Sequence, residues 1–199
     1  MGALHTGEFW ADGTQGTLVL VGAGPGCWAV FCASQEYRDG APDPLDRWSK
    51  RVVGAAADRF HATTCFPSDG PPYPPFIDWA LRTGRFFTSP TGMMVHDTAG
   101  LLISIRGALM VTEQWQLPES SAANPCLTCP DRPCVSACPV GALSDGHPYD
   151  VPACKSYLDT GPGQDCMSQG CKARNACPVS QRFGRTRAKS AFHMTAFKR

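Results

Sequence analysis

Eight of the eleven cysteines in this chain fall between Cys126 and Cys177. A stretch that dense in thiols must pair them, bury them or bind metal with them. Disulfides suit it poorly. The total is odd, and the opening residues MGALHTGEFWADG have neither the basic start nor the apolar core of a secretory leader. The thiols also form two groups, each ending in Cys-Pro-Val, at Cys138–Val140 and Cys177–Val179. Cys27, Cys32 and Cys65 lie apart, in apolar or mixed surroundings, and read as buried small hydrophobes.

The first group is spaced Cys126-x2-Cys129-x4-Cys134-x3-Cys138-Pro139. The bacterial two-cluster ferredoxin run is C-x2-C-x2-C-x3-C-P, and its fourth cysteine ligates the other cluster. Here the second gap, PDRP, is two residues longer, and it can bulge without moving the ligands beside it. Three close thiolates then grip one cubane, and the fourth is turned by Pro139 toward a second. A second group should return the exchange with three cysteines and a crossing Cys-Pro. The chain supplies Cys154, Cys166, Cys171 and Cys177-Pro178. The expectation is two [4Fe-4S] clusters. Cys126, Cys129, Cys134 and Cys177 hold the first, and Cys138, Cys154, Cys166 and Cys171 hold the second. Zinc is the alternative. It favours paired C-x2-C knuckles, of which there is one, and gives the Cys-Pro dipeptides no role.

The rest of the chain is ordinary globular material. Hydrophobic residues make up 43% of the whole chain, which is enough for a core. The net charge of +1 calls for neither nucleic acid nor an anionic membrane as partner. The longest apolar stretch, TLVLVGAGPGCWAVFCA, is broken by three glycines and a proline and is short for a membrane span, so a cytoplasmic location is expected. Thr17–Gly22 reads as a strand and Cys27–Tyr37 as a helix. Asp39–Pro44 is a loop, Leu45–Phe60 a helix with Asp43 near its start, and HATTCF a second strand. Pro67–Pro75 fits neither helix nor central strand, and Phe76–Gly84 is a helix closed by glycine. GMMVHD and LLISIRGALMV flank Asp97–Gly100 as a hairpin. VGAGPG fits the looser dinucleotide pattern through Gly24, Gly26 and Ala29, but no acidic residue ends a second strand about 20 positions on. The competing reading is a tight turn whose glycines let helix and strand pack closely.

From about Trp79 to Pro178 the chain resembles epoxyqueuosine reductase and related dicluster reductases. The likeness lies in DWALRTG, in GLLISIRGALMV with LP soon after, in the run ending CPVGAL, and in ACKSYL before a last group ending in CP. ACKSYL resembles the family's lone cysteine before Ser-Tyr-Leu, which implies that Cys154 is the isolated ligand of the second cluster. The crossed ligand scheme resembles the family's. The last family group is C-x2-C-x3-C-P. In this chain Gly170 and Ala173 stand where its first two cysteines fall, and Cys166 and Cys171 take their place. The family's longer N-terminal part binds cobalamin, so the resemblance implies a reduced cobalamin-processing domain before the cysteines and a corrinoid as a further cofactor. The chain also resembles short bacterial dicluster 4Fe-4S ferredoxin-like proteins.

The expected fold is α+β: a small N-terminal α/β-type domain over 1–117, then a ferredoxin-like dicluster domain over 118–199 with a basic tail. Electron transfer to a redox partner protein or a small-molecule acceptor is the leading function. A reductase acting on a corrinoid or another acceptor held by the N-terminal domain is the alternative, and a structural or sensing cluster protein is a third. Tyr73, Phe76 and Trp79 could line an apolar pocket or be ordinary core aromatics. His5, His61, His96, His147 and His193 are scattered and read as surface or satisfied histidines, and no catalytic residue is identified. Arg182, Arg185, Arg187, Lys189, Lys198 and Arg199 read as a solvated helical face or as a docking surface for an acidic electron donor.

Overall fold

The computed structural model describes residues 2–6 and 15–199. Most of the N-terminal stretch considered above as a leader lies outside them. Along the chain the elements are β1 (Ala3–Thr6), β2 (Gly16–Gly22), α1 (Cys27–Cys32), α2 (Gln35–Arg38), α3 (Pro44–Phe60), β3 (Thr63–Cys65), α4 (Phe76–Arg82), β4 (Phe86–Thr88), β5 (Met94–His96) and β6 (Ile105–Val111). The cysteine-rich part contributes α5 (Pro133–Ser136), α6 (Val151–Leu158), α7 (Gln164–Gln169), α8 (Lys172–Ala176), α9 (Pro178–Phe183) and α10 (Arg187–Lys198). The mixture of helix and sheet is that of an α+β protein, and no helix among the described residues is long and apolar enough to cross a membrane.

The chain divides into two compact units, and neither is continuous in sequence. One comprises 1–85 and 104–122, the other 86–103 and 123–199. A single boundary after residue 117 does not reproduce this division. The segment 86–103 belongs with the cysteines, although it precedes the composition shift by which a boundary is read.

The first unit is built on an antiparallel sheet of order β1-β2-β6-β3. β6 is internal, with Leu18 opposite Met110 and Leu20 opposite Ala108 on one side and Thr64 opposite Leu109 on the other. Leu18 and Leu20 are buried on one face of β2. On the opposite face Val19, Val21 and Leu109 pack with Val53, Ala57 and Phe66. Helix α3 presents Leu45, Trp48, Ser49, Val53 and Ala57 inward, the three- and four-residue spacing of a single buried stripe. Asp43 precedes it but makes no side-chain cap; Pro44, with its fixed φ and no amide to satisfy, starts the helix instead.

Three expectations are corrected. The Cys27–Tyr37 helix breaks at Ser34, whose hydroxyl accepts the Tyr37 amide and caps a new turn, α2. The hairpin proposed between GMMVHD and LLISIRGALMV does not form. β5 pairs with β4 around a turn at Gly92 (φ +74), and β6 pairs with β2 and β3. The residues after His96 fold into a local turn, because the His96 ring nitrogen accepts the Thr98 and Ala99 amides. The glycine loop also lacks its nucleotide-binding context, since every pairing in the sheet is antiparallel and α1 has six residues. Side chains at Gly24 and Gly26 would meet nothing, so close packing does not require these glycines either.

Phe76 and Trp79 are core residues in edge contact at 5.0 Å, whereas Tyr73 is exposed, so two of the three are the ordinary core aromatics of the competing reading. The basic tail is not a solvated face throughout. α10 packs against α7 and turns Lys189, Ser190 and Met194 inward, and Lys198 pairs with Asp159. Cys27, Cys32 and Cys65 are only half-buried.

The loop before α3 is held by arginines. Arg47 grips both oxygens of Asp39 at 2.7 and 2.8 Å and also donates to the carbonyls of Glu36 and Pro42. Arg51 takes Glu36 in a two-pronged pair at 2.5 and 3.1 Å. That pairing holds the Glu36 carboxyl down at about 2, against an ordinary 4.5. Glu36 is itself enclosed, but Arg51 is 59% exposed, so solvent screens the pair and its contribution is modest. A carboxyl depressed on folding stabilises above its unfolded value and loses that effect as pH falls through its folded one. Glu36→Gln should therefore lower the melting temperature at pH 7 and flatten the loss of stability between about pH 4.5 and pH 2, as read by thermal melts across that range.

Phe31 is fully buried beneath Trp28, Tyr37 and Trp48, with ring centroids at 5.1–5.6 Å. Phe31→Ala should cost about 3–5 kcal/mol, measured by denaturant unfolding followed through tryptophan fluorescence.

Candidate metal centre

The first cysteine group is shaped by turns rather than by helix. The Asn124 side chain accepts the Cys126 amide at 3.0 Å and its carbonyl accepts the Leu127 amide, which folds the chain back at the first thiol. The longer second gap then takes up its two extra residues as a left-handed turn, with Asp131 at φ +56 and Arg132 at φ +40. Two non-glycine residues in that region are costly, about 1–3 kcal/mol each, and persist only where their surroundings hold them. Here the Arg132 amide donates to Pro130 and the Arg132 carbonyl accepts from Val135, handing the chain to α5, which carries Cys134.

Cys177 arrives from the other end of the region. It stands between α8 and α9 in an extended conformation (φ −64, ψ 122), and Pro178 opens α9 directly after it. The Cys177 carbonyl accepts the Gln181 amide, so the thiol is anchored at a helix start.

These residues share one cavity of about 190 Å³. Four thiols line it, those of Cys126, Cys129, Cys134 and Cys177, together with Arg132 and Arg182. Its apolar wall includes Val95, Leu101 and Val179, which pack with Cys134 and Cys177 as a buried cluster. Burial pushes the Cys126 thiol up to about 11, and the neighbouring Cys134, Cys177 and Cys129 push the same way against Arg132. Cys134 is raised by burial first, then by Cys177 and Cys129.

The other four cysteines are neighbours in space, with Cys154 and Cys166 on short helices, Cys171 at the residue before α8 and Cys138 in the non-helical stretch after α5. Asp150 caps α6 by accepting the Ala153 amide at 2.9 Å, which sets Cys154 in the first turns. Cys166 is buried on α7, and Cys171 immediately precedes α8 after the turn at Gly170 (φ +94). Cys154 is raised by burial and by Cys171 and Cys138, while a hydrogen bond from Tyr149 opposes the rise. Cys166 is raised by burial, with smaller contributions from Cys171 and Cys154. Leu158, Cys166 and Met194 form the buried centre of this region, with Tyr157, Met167, Cys171 and Phe197 packed around it.

Among the described residues no three His, Cys, Asp or Glu side chains converge closely enough to hold a single metal ion. The first four thiols ring a space rather than a point. The structure also supplies partners that the sequence reading did not name. Arg132 and Arg182 bring positive charge to the thiol cavity, and Val95 and Leu101 come from the segment assigned to the N-terminal domain. Tyr149 comes from the loop before ACKSYL, and only its three-dimensional neighbours mark it out.

No family model matches the chain, and no curated protein matches it. Among solved structures the chain is similar to a crystal structure of selenomethionine-labelled epoxyqueuosine reductase, at 16% sequence identity and a TM-score of 0.40. The match covers 77% of this chain and 44% of that one, so the chain spans less than half the length of that protein. A likeness of that degree carries no site residue across.

The cavity wall depends on one buried hydrogen bond. The Ser180 hydroxyl, 1% exposed, accepts the Leu101 amide at 2.9 Å. Gly100, at φ +59, lies against the Ser180 backbone so closely that any side chain there would collide with it. Ser180→Ala leaves the Leu101 amide without that partner in the interior. It should destabilise the protein by about 1–3 kcal/mol, measured by denaturant unfolding of the full chain.

Proposed function

We propose that the second unit is an electron-transfer module carrying two [4Fe-4S] clusters. Cys126, Cys129, Cys134 and Cys177 would hold one, and Cys138, Cys154, Cys166 and Cys171 the other. The observation that carries the reading is the single cavity around which four thiols from two remote stretches of chain are set. Thiolates are soft donors, and four of them around a space suit a polynuclear iron–sulfur group held at its corners. When bound, such a group accepts and releases one electron at a time.

The protein's own residues would do the remaining work. Val95, Leu101 and Val179 keep the wall of the cavity apolar and limit water there. Arg132 and Arg182 offset the negative charge of four thiolates. Burial favours the protonated thiols, so metal loading must displace protons from Cys126 and Cys134, and the binding energy offsets that cost. The expected partner is a redox protein or a small-molecule acceptor.

Protein purified anaerobically should contain about four irons and four acid-labile sulfides for each group of four thiols. Zinc without sulfide would overturn the reading. Cys177→Ala should remove about half of the iron and open the Cys126–Cys138 run to protease, because ligand bonds made only in the folded state contribute folding energy directly. Cleavage confined to residues beyond Cys154, with the early run still protected, would show that the two stretches do not share a cluster.

A further inference from the structure

The end of α9, the start of α10 and the turn between α7 and α8 border a second cavity, of about 500 Å³. Every residue that lines it belongs to the second unit, and none is a cysteine. Gly184 (φ +72) ends α9, and two residues later the Thr186 hydroxyl accepts the Lys189 amide at 3.3 Å and starts α10. Gly170 lies so close to Ser190 that any side chain there would meet the Ser190 Cβ, which seats the start of α10 on the α7–α8 turn. Between the two helices Arg185 donates to the Leu102 carbonyl at 3.2 Å, and Leu102 lines the same space.

The cavity is rich in donors. Arg185 and Arg187 bring two guanidinium groups to it, and among the described residues that line it there is no carboxylate. Arg187 is exposed and has no ion-pair partner among the described residues. Helix α10 is twelve residues long and has no acidic residue in its first turn, so nothing within the helix offsets the positive end of its dipole. Ser190 lines the cavity and is only 5% exposed. Its hydroxyl has no hydrogen-bond partner among the described residues, yet the oxygen keeps accessible surface. An enclosed hydroxyl left unpaired is costly, and its natural partner is a group in the space it borders.

Two amide side chains add acceptors. The side-chain nitrogens of Asn175 and Gln181 are engaged by the backbone carbonyls of Gln169 and Asn175, at 3.0 and 3.1 Å. Their side-chain oxygens are left to accept.

Guanidinium forks, a hydroxyl and a helix start together suit a tetrahedral oxyanion, which has several oxygens to accept from them. Amide oxygens suit hydroxyl groups. The volume is within the range of small-ligand pockets, about 300–1,000 Å³. We propose that this cavity binds a small phosphate monoester that carries hydroxyl groups, such as a sugar phosphate. Arg185, Arg187 and Ser190 hold the phosphate, and the side-chain oxygens of Asn175 and Gln181 accept from the hydroxyls. The assignment does not depend on what the thiols bind.

Isothermal titration calorimetry tests this on the full chain, purified anaerobically with the metal it carries. The probes are ribose 5-phosphate, inorganic phosphate and ribose. Ribose 5-phosphate should bind at one site per chain, inorganic phosphate about tenfold more weakly, and ribose not measurably. Arg187→Ala should weaken ribose 5-phosphate by about tenfold, the loss of one charge-assisted hydrogen bond. Its melting temperature should not move, because the side chain is exposed. Arg199→Ala, at the far end of the same helix, should leave the affinity unchanged. Gln181→Ala should remove the preference for ribose 5-phosphate and keep the affinity for inorganic phosphate. Failure of both phosphates to bind at millimolar concentration would overturn the site. An equal loss in Arg187→Ala and Arg199→Ala would overturn it too, since that marks diffuse attraction to a basic tail. Equal binding of the two phosphates by the wild-type protein would overturn the ester class, because the cavity would then select a bare oxyanion.

Discussion

Between Cys134 and Cys177 the chain forms α6, α7 and α8, and yet these two thiols meet in one buried apolar cluster with Val95, Leu101 and Val179. That contact ties the turn around Cys126 to the start of α9 and closes the cavity. Four thiols crowded into a poorly solvated place repel one another as thiolates, and burial alone makes them reluctant to ionise. Arg132 opposes part of that cost at Cys126, and on the function proposed above a bound cation-rich group would offset far more. On that function, the same crowding that disfavours free thiolates would favour binding metal.

The helices around these thiols are four to eight residues long, apart from the twelve of α10. Segments of that length are marginal by themselves, so their order depends on tertiary partners. Some partners are polar and specific. Ser180 accepts the Leu101 amide, Arg185 donates to the Leu102 carbonyl, and Arg174 to the Leu101 carbonyl. These three bonds converge on 101–102, just beyond the β4–β5 ribbon, and they explain why 86–103 belongs to the same unit as the cysteines. The remaining order comes from apolar packing around Leu158, Cys166 and Met194.

The first unit follows a different logic. Its sheet is antiparallel throughout, and α3 lays a single apolar stripe over one face of β2 and β6. The aromatic group of Trp28, Phe31, Tyr37 and Trp48 fixes α1 and α2 against that helix, and the Arg47 and Arg51 pairs hold the connecting loop. A glycine-rich turn between a strand and a helix is shared by many folds, and the strand directions around it decide whether it has the setting of a nucleotide site.

Local signals were legible along the chain. β2, α3, β3 and α4 lie where periodicity, proline and glycine place them, because each depends mainly on its own residues. The thiol spacing likewise singled out the two cysteine groups as candidates, since cysteine density and the Cys-Pro pairs are properties of the chain itself. The partners of β5 and β6 were not legible. Two apolar strands near a turn look like a hairpin, and the choice of β4 for one and of β2 and β3 for the other is made by non-local pairing. The division into units, the arginines at the thiol cavity and Tyr149 beside Cys154 have the same origin. Residue type and spacing are written one position at a time, so the sequence by itself determined the thiols and the local elements. Proximity between distant positions arises only when the chain closes on itself, so the tertiary structure alone decided which apolar, charged and hydroxyl groups surround those thiols.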